Sequence, residues 1–93
     1  MNVEPEALIA QAPDSLAAEM GEELVIMIAE RGTYLALDPV GRDVWTCIAL
    51  PCTFSSLCDR LQAIYAGERA VIEADVAALL GKLQEAGAVE IRR

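Results

Sequence analysis

Asp38-Pro39 divides this chain more sharply than any other pair of residues. Aspartate is a favoured helix N-cap and proline is favoured at the first helical position, so a helix should begin here. Upstream, the apolar runs are short and partly β-branched. Downstream, apolar residues recur at helical spacing. A chain that spends its strands before this point and its helices after it is restricted to an α+β fold, with the helices packed on one face of an antiparallel sheet.

Upstream, residues 24–29 (Leu-Val-Ile-Met-Ile-Ala) read as a strong strand. Glu30-Arg31-Gly32 reads as a hairpin loop with glycine near its end, and residues 33–37 as the return strand. Residues 16–20 are an alanine-rich first strand, joined through a turn at Gly21-Glu22-Glu23. Residues 1–14, with Pro5 and Pro13, read as an N-terminal arm ahead of a domain spanning 15–93; Leu8 and Ile9 could dock it. Downstream, Val40, Val44, Trp45 and Ile48 form the stripe of a first helix that ends at Leu50-Pro51-Cys52. Thr53 caps a second, with Leu57, Leu61 and Ile64 on its apolar side, ending at Ala66-Gly67. Ile72, Val76, Leu79, Leu80 and Leu83 give the third helix a core-facing side, and Gly87 suits its C-terminal stop. Residues 88–91 are a short closing strand or an extended tail. The order is β-β-β-α-α-α.

The central strand raises a question. Leu24, Ile26 and Ile28 point one way, and Val25, Met27 and Ala29 the other, so its outer face is apolar in either orientation. A sheet with helices on one side only should be polar outside. Something should cover that face: the arm through Leu8 and Ile9, which is the nearer candidate, or a protein partner.

Charge narrows the function. The net charge is −8, from seven Lys and Arg against fifteen Asp and Glu, and there is no histidine. A nucleic-acid binder neutralises phosphates with basic side chains, so this balance argues against DNA or RNA and favours basic or apolar partners. The commonest general base and metal ligand are missing, and no nucleophile–base pair or metal set is present, which argues against an enzyme. Cys47, Cys52 and Cys58 match no standard zinc or iron–sulfur spacing and read as apolar packing. No cofactor is expected. With no signal-peptide pattern and no membrane-spanning run, a soluble cytoplasmic protein is expected. Asp14-Ser15-Leu16 matches the phosphopantetheine site of carrier proteins, but the long preceding helix is absent and a β-run follows.

The run from Gly32 to Trp45 (GTYLALDPVGRDVW) resembles the PqqD-like family, in which a G-x-Y-x-x-L segment leads into a V-G-x-x-V/I-W helix. The stretch from Ile72 to Val89 resembles that family's closing helix, with its D-V-x-x-x-L-x-x-L-x-x-x-G pattern; here Asp75, Val76, Leu80, Leu83 and Gly87 take part. The resemblance covers residues 16–91. It implies a winged-helix-like RiPP recognition element of three strands and three helices. In such a domain the leader of a ribosomally made precursor peptide adds as a strand to the third strand's edge, against the third helix. Carried over here, the edge is Thr33, Tyr34, Leu35, Ala36 and Leu37, and the wall is the helix from about Val71 to Leu83. Leu35, Leu37, Val76 and Leu79 supply apolar pocket wall, flanked by Val71, Asp75 and Lys82. Stand-alone members resemble the leader-binding component of lasso-peptide biosynthesis, which works with a separate leader peptidase; others serve radical-SAM maturases.

Each residue also has a plainer reading. Tyr34 stacks on an incoming peptide or makes a cross-strand contact. Asp75 pairs with a basic leader residue, or is solvated or weakly paired with Lys82. Trp45 is core. Strand geometry leaves two choices at the edge: the backbone groups of Thr33, Leu35 and Leu37 face outward, or those of Tyr34 and Ala36 do. The competing function is a winged-helix DNA-binding regulator, against which stands a third helix with one Lys and no Arg between residues 71 and 87.

Overall fold

The computed structural model describes residues 3–92. Along the chain these form β1 (Leu8–Gln11), β2 (Ser15–Met20), β3 (Glu23–Ile28), β4 (Thr33–Leu37), α1 (Pro39–Cys47), β5 (Cys52–Thr53), α2 (Phe54–Tyr65), α3 (Arg69–Ala86) and β6 (Val89–Arg92). The expected meander is the antiparallel sheet β2-β3-β4, and three helices follow it. The α+β, winged-helix-like architecture is therefore present.

Asp38 caps α1 as its position requires: its side chain accepts from the Gly41 amide at 2.8 Å, and Pro39 opens the first turn. Gly41 is where α1 crosses the end of β4. A Cβ there would stand 3.1 Å from the Leu37 Cβ, tighter than ordinary contact, so the small residue lets the helix start lie against the strand. Thr53 caps α2 through the Ser56 amide. Gly87 ends α3 at φ 84, with its own amide on the Gln84 carbonyl and the Ala88 amide on the Leu83 carbonyl.

The core lies between the inner sheet face and the helices. Leu24, Ile26, Ile28 and Leu37 come from the sheet, Val44, Trp45 and Ile48 from α1 and the turn after it, Leu57, Cys58 and Leu61 from α2, and Val76, Leu80 and Leu83 from α3. Burial pushes the Cys58 thiol up to about 11, so it stays protonated and packs as a small apolar group. Two residues expected on the apolar stripes are exposed instead: Val40 on α1 and Ile64 on α2. Each lies at an outer end of its helix, where the apolar side has passed beyond the facing layer.

The largest departure concerns the N-terminus. Part of the stretch read as an arm is β1, the central strand of a second sheet, β5-β1-β6. Ile9 pairs with Ile91 on one side and Cys52 on the other and is fully buried, with Ala7 and Ala12 buried on either side. The break expected between residues 14 and 15 is thus not a break in packing. Nor does this segment cover the outer face of β3. That face carries Leu16, Ala18 and Met20 from β2, Val25 and Met27 from β3, and Tyr34 and Ala36 from β4. Leu16, Met20, Met27 and Tyr34 are all more than half exposed. Ile9 cannot serve both faces: pairing with β5 and β6 turns it into the main core.

Candidate functional site

β4 is an edge strand, and which of its backbone groups lie open can be worked out from a contact outside it. Ala29, just past β3, donates its amide to the Asp14 carbonyl at 3.3 Å, on the β2 side. Successive residues of a strand direct their backbone groups to opposite neighbours. Val25 and Met27 therefore share the direction of Ala29 and bond β2, while Leu24, Ile26 and Ile28 bond β4. Their partners on β4 are Leu37, Leu35 and Thr33. The N–H and C=O groups of Tyr34 and Ala36 are left facing the open edge.

Side chains follow the perpendicular alternation. Leu35 and Leu37 turn inward, half-buried and buried, whereas Tyr34 and Ala36 stand on the outer face beside Met27 and Val25. Tyr34 is 74% exposed. Thr33 is exposed at the hairpin end.

α3 runs in the direction opposite to β4. Val76 and Leu79 lie near Asp38 at the far end of the strand, and Glu85 lies near Arg31 in the hairpin. Two hollows open between the helices at the Asp38 end. One, of about 280 Å3, is lined by residues that include Val40, Leu61, Tyr65, Val71, Ile72, Asp75 and Val76. The other, of about 180 Å3, is lined by Asp38, Val40, Gly41, Val44, Asp75, Val76 and Leu79. They share Val40, Asp75 and Val76, so they form one groove with apolar walls, and among the described residues its only charged lining is Asp38 and Asp75. The Tyr65 hydroxyl donates to Asp43, and this bond pushes its pKa up to about 12. At neutral pH Tyr65 is therefore a neutral wall residue.

The geometry gathers Val71, Asp75, Val76 and Leu79 at the groove, whereas Leu35 and Leu37, expected as pocket wall, turn into the main core and line neither hollow. Lys82 is exposed on the same flank of α3 but lines neither hollow, and among the described residues it makes no ion pair with Asp75. Val40 and Tyr65 were not expected at the site. The sign of Val40 was its place on an apolar stripe at the very first turn of α1, ahead of the core. Arg69, the second cation of α3, is occupied by Asp59 and Glu73. No group of three or more His, Cys, Asp or Glu side chains among the described residues could hold a metal, and no helix there is long and apolar enough to cross a membrane.

An open strand edge and a helix-walled apolar groove on a winged-helix-like α+β scaffold define the class of this small domain. The chain belongs to the PqqD family: the model for coenzyme PQQ synthesis protein D matches residues 23–89. No curated protein matches it at a significant level. Among solved structures it resembles TbiB1 in complex with the TbiA(beta) leader peptide, at 25% identity over 87% of this chain and 94% of that one, with a TM-score of 0.80. It also shares its fold with lasso peptide synthetase B1 complexed with the leader peptide, at 22% identity over 88% and 96% of the two chains, TM-score 0.76.

A substitution series separates wall from core. Val76→Asp puts a carboxylate at a position 4% exposed, and should cost about 3–5 kcal/mol, enough to unfold most of a domain this small. Asp75→Ala and Lys82→Ala should each stay within about 0.5 kcal/mol of the parent, because both side chains are solvated. Thermal melts of the three variants check this.

Proposed function

We infer that this chain binds the leader segment of a ribosomally synthesised precursor peptide as a strand added to β4, and presents it to a maturation enzyme. The observation that carries this reading is the pair of residues Tyr34 and Ala36, whose backbone groups lie open along the β4 edge, with the helix-walled groove opening at the Asp38 end of that strand. An added strand satisfies those groups without any catalytic side chain. An incoming residue between the two that pair with Tyr34 and Ala36 turns its side chain inward, toward Val76 and Leu79. The carboxylates of Asp38 and Asp75 favour apolar or basic side chains there. Family membership and the likeness to leader-peptide complexes support the same reading, and the likeness to a lasso peptide synthetase component favours a leader peptidase and cyclase system over a radical-SAM maturase. Nothing in the fold or the comparisons favours the DNA-binding alternative. The role is that of a binder in the cytoplasm, where precursor peptides are made, and not of an enzyme.

Titrating the isotopically labelled chain with the TbiA(beta) leader peptide, followed by amide NMR, tests the proposal. Shifts and slowed hydrogen exchange at Tyr34 and Ala36 are expected. Binding that leaves both amides unprotected would falsify strand addition.

The bare outer face fits the maturation enzyme as its cover. Val25→Lys and Met27→Lys should leave the melting curve and leader affinity unchanged, since neither side chain reaches the core or the groove, while capture of a leader peptidase is lost. A pull-down with both variants in parallel reads this out; retention of the peptidase by both would move its docking site elsewhere.

A further inference from the structure

The β2-β3-β4 sheet, which carries the open edge, and α3, which lines the groove, belong to different layers. Among the described residues a single hydrogen bond joins them: Arg31, in the β3–β4 hairpin, donates from Nη1 to the carbonyl of Glu85 in the last turn of α3. That carbonyl is one of the four that a helix leaves without an intrahelical partner, and it lies at the negative end of the helix dipole, where a cation is favoured. The neighbouring carbonyls of Leu83 and Gln84 already accept from Ala88 and Gly87.

Gly87 adds a second, independent observation. A Cβ on this residue would fall 2.9 Å from Arg31 Nε and 3.1 Å from Cζ, so the guanidinium lies directly over a backbone kept bare of side chain. Arg31 forms no ion pair among the described residues, which leaves the helix end as its partner. The hairpin is pinned on its opposite side as well, by Ala29 and Glu30 amides on the carbonyl and carboxylate of Asp14.

The geometry points to Arg31 as a positioning residue. It clamps the hairpin to the C-terminal end of α3 and so holds β4 and the helix at the spacing that an added peptide strand needs. This rests on the leader-binding reading of the groove. With the clamp in place, the peptide meets β4 and α3 already held at a fixed spacing; without it, part of the binding free energy goes into fixing that spacing.

The test compares the full chain with Arg31→Ala and Arg31→Lys by amide hydrogen exchange without peptide, then by calorimetric titration with the TbiA(beta) leader. Arg31→Ala should speed exchange in the last turn of α3 and at the hairpin about tenfold or more, leaving β1 and β6 as protected as before. It should weaken leader binding about tenfold through lost preorganisation. Arg31→Lys, whose ammonium still reaches a carbonyl acceptor, should recover most of both effects. Unchanged exchange in Arg31→Ala overturns the clamp, and faster exchange with unchanged affinity overturns its positioning role. A parent chain that fails to bind the probe counts against the leader reading alone, because the exchange rates still decide the clamp.

Discussion

Ala36→Pro should weaken peptide binding far more than tenfold and leave the domain folded. Proline removes a backbone donor that faces the open edge and sets its ring where an added strand would lie. Edge strands tolerate this substitution because the lost N–H had no partner in the sheet. Losing two or three strand–strand hydrogen bonds at about 1 kcal/mol each lowers affinity by about 30- to 150-fold. Leu35→Pro, one residue earlier, does the opposite: its amide bonds β3 opposite Ile26, so the ladder breaks and the domain loses about 3 kcal/mol. Circular dichroism melts and calorimetric titration distinguish the two variants. The edge assignment is wrong if the effects are reversed, with Leu35→Pro folded and unable to bind and Ala36→Pro unfolded.

Removing residues 1–12 should leave a chain with no cooperative melt. The cut deletes β1, which β5 and β6 both need as a partner, and takes Ala7, Ile9 and Ala12 out of the core. Ile9 alone, fully buried, contributes about 2–5 kcal/mol judged by truncation to alanine. The whole domain is worth only about 5–14 kcal/mol at this length. Ile9→Ala should therefore melt far below the parent yet remain folded, and Leu8→Ala, at a position 39% exposed, should cost less than about 1 kcal/mol. A truncated chain that melts as sharply and as high as the parent would show that the second sheet is dispensable.

The two experiments probe different kinds of information. Everything set by neighbours in the chain was legible in the residues. Asp38 and Pro39 start α1, Thr53 caps α2, and the apolar spacing from Ile72 to Leu83 marks the buried side of α3, because capping and helical periodicity act over three or four residues. The β2-β3-β4 meander followed from short turns and β-branched runs for the same reason. Helical spacing put Val76 and Leu79 on the inward side of α3; that this helix, with Val71 and Asp75, walls a peptide groove was implied by the resemblance to the PqqD-like family.

The tertiary structure alone decided three things. It chose which backbone groups of β4 are open, since a strand of period two has two equivalent settings. The choice depends on Ala29 reaching Asp14, fifteen residues away, across a different strand pair. It made β1 a central strand, because Leu8–Gln11 is too short to announce itself and its partners lie more than forty residues further on. And it left the outer face of the sheet bare by taking Ile9 into the main core, so that the apolar side chains of Leu16, Met20, Met27 and Tyr34 remain exposed. Each of these depends on contacts between segments distant in sequence, whose competing arrangements are told apart only by burial and pairing in the folded chain.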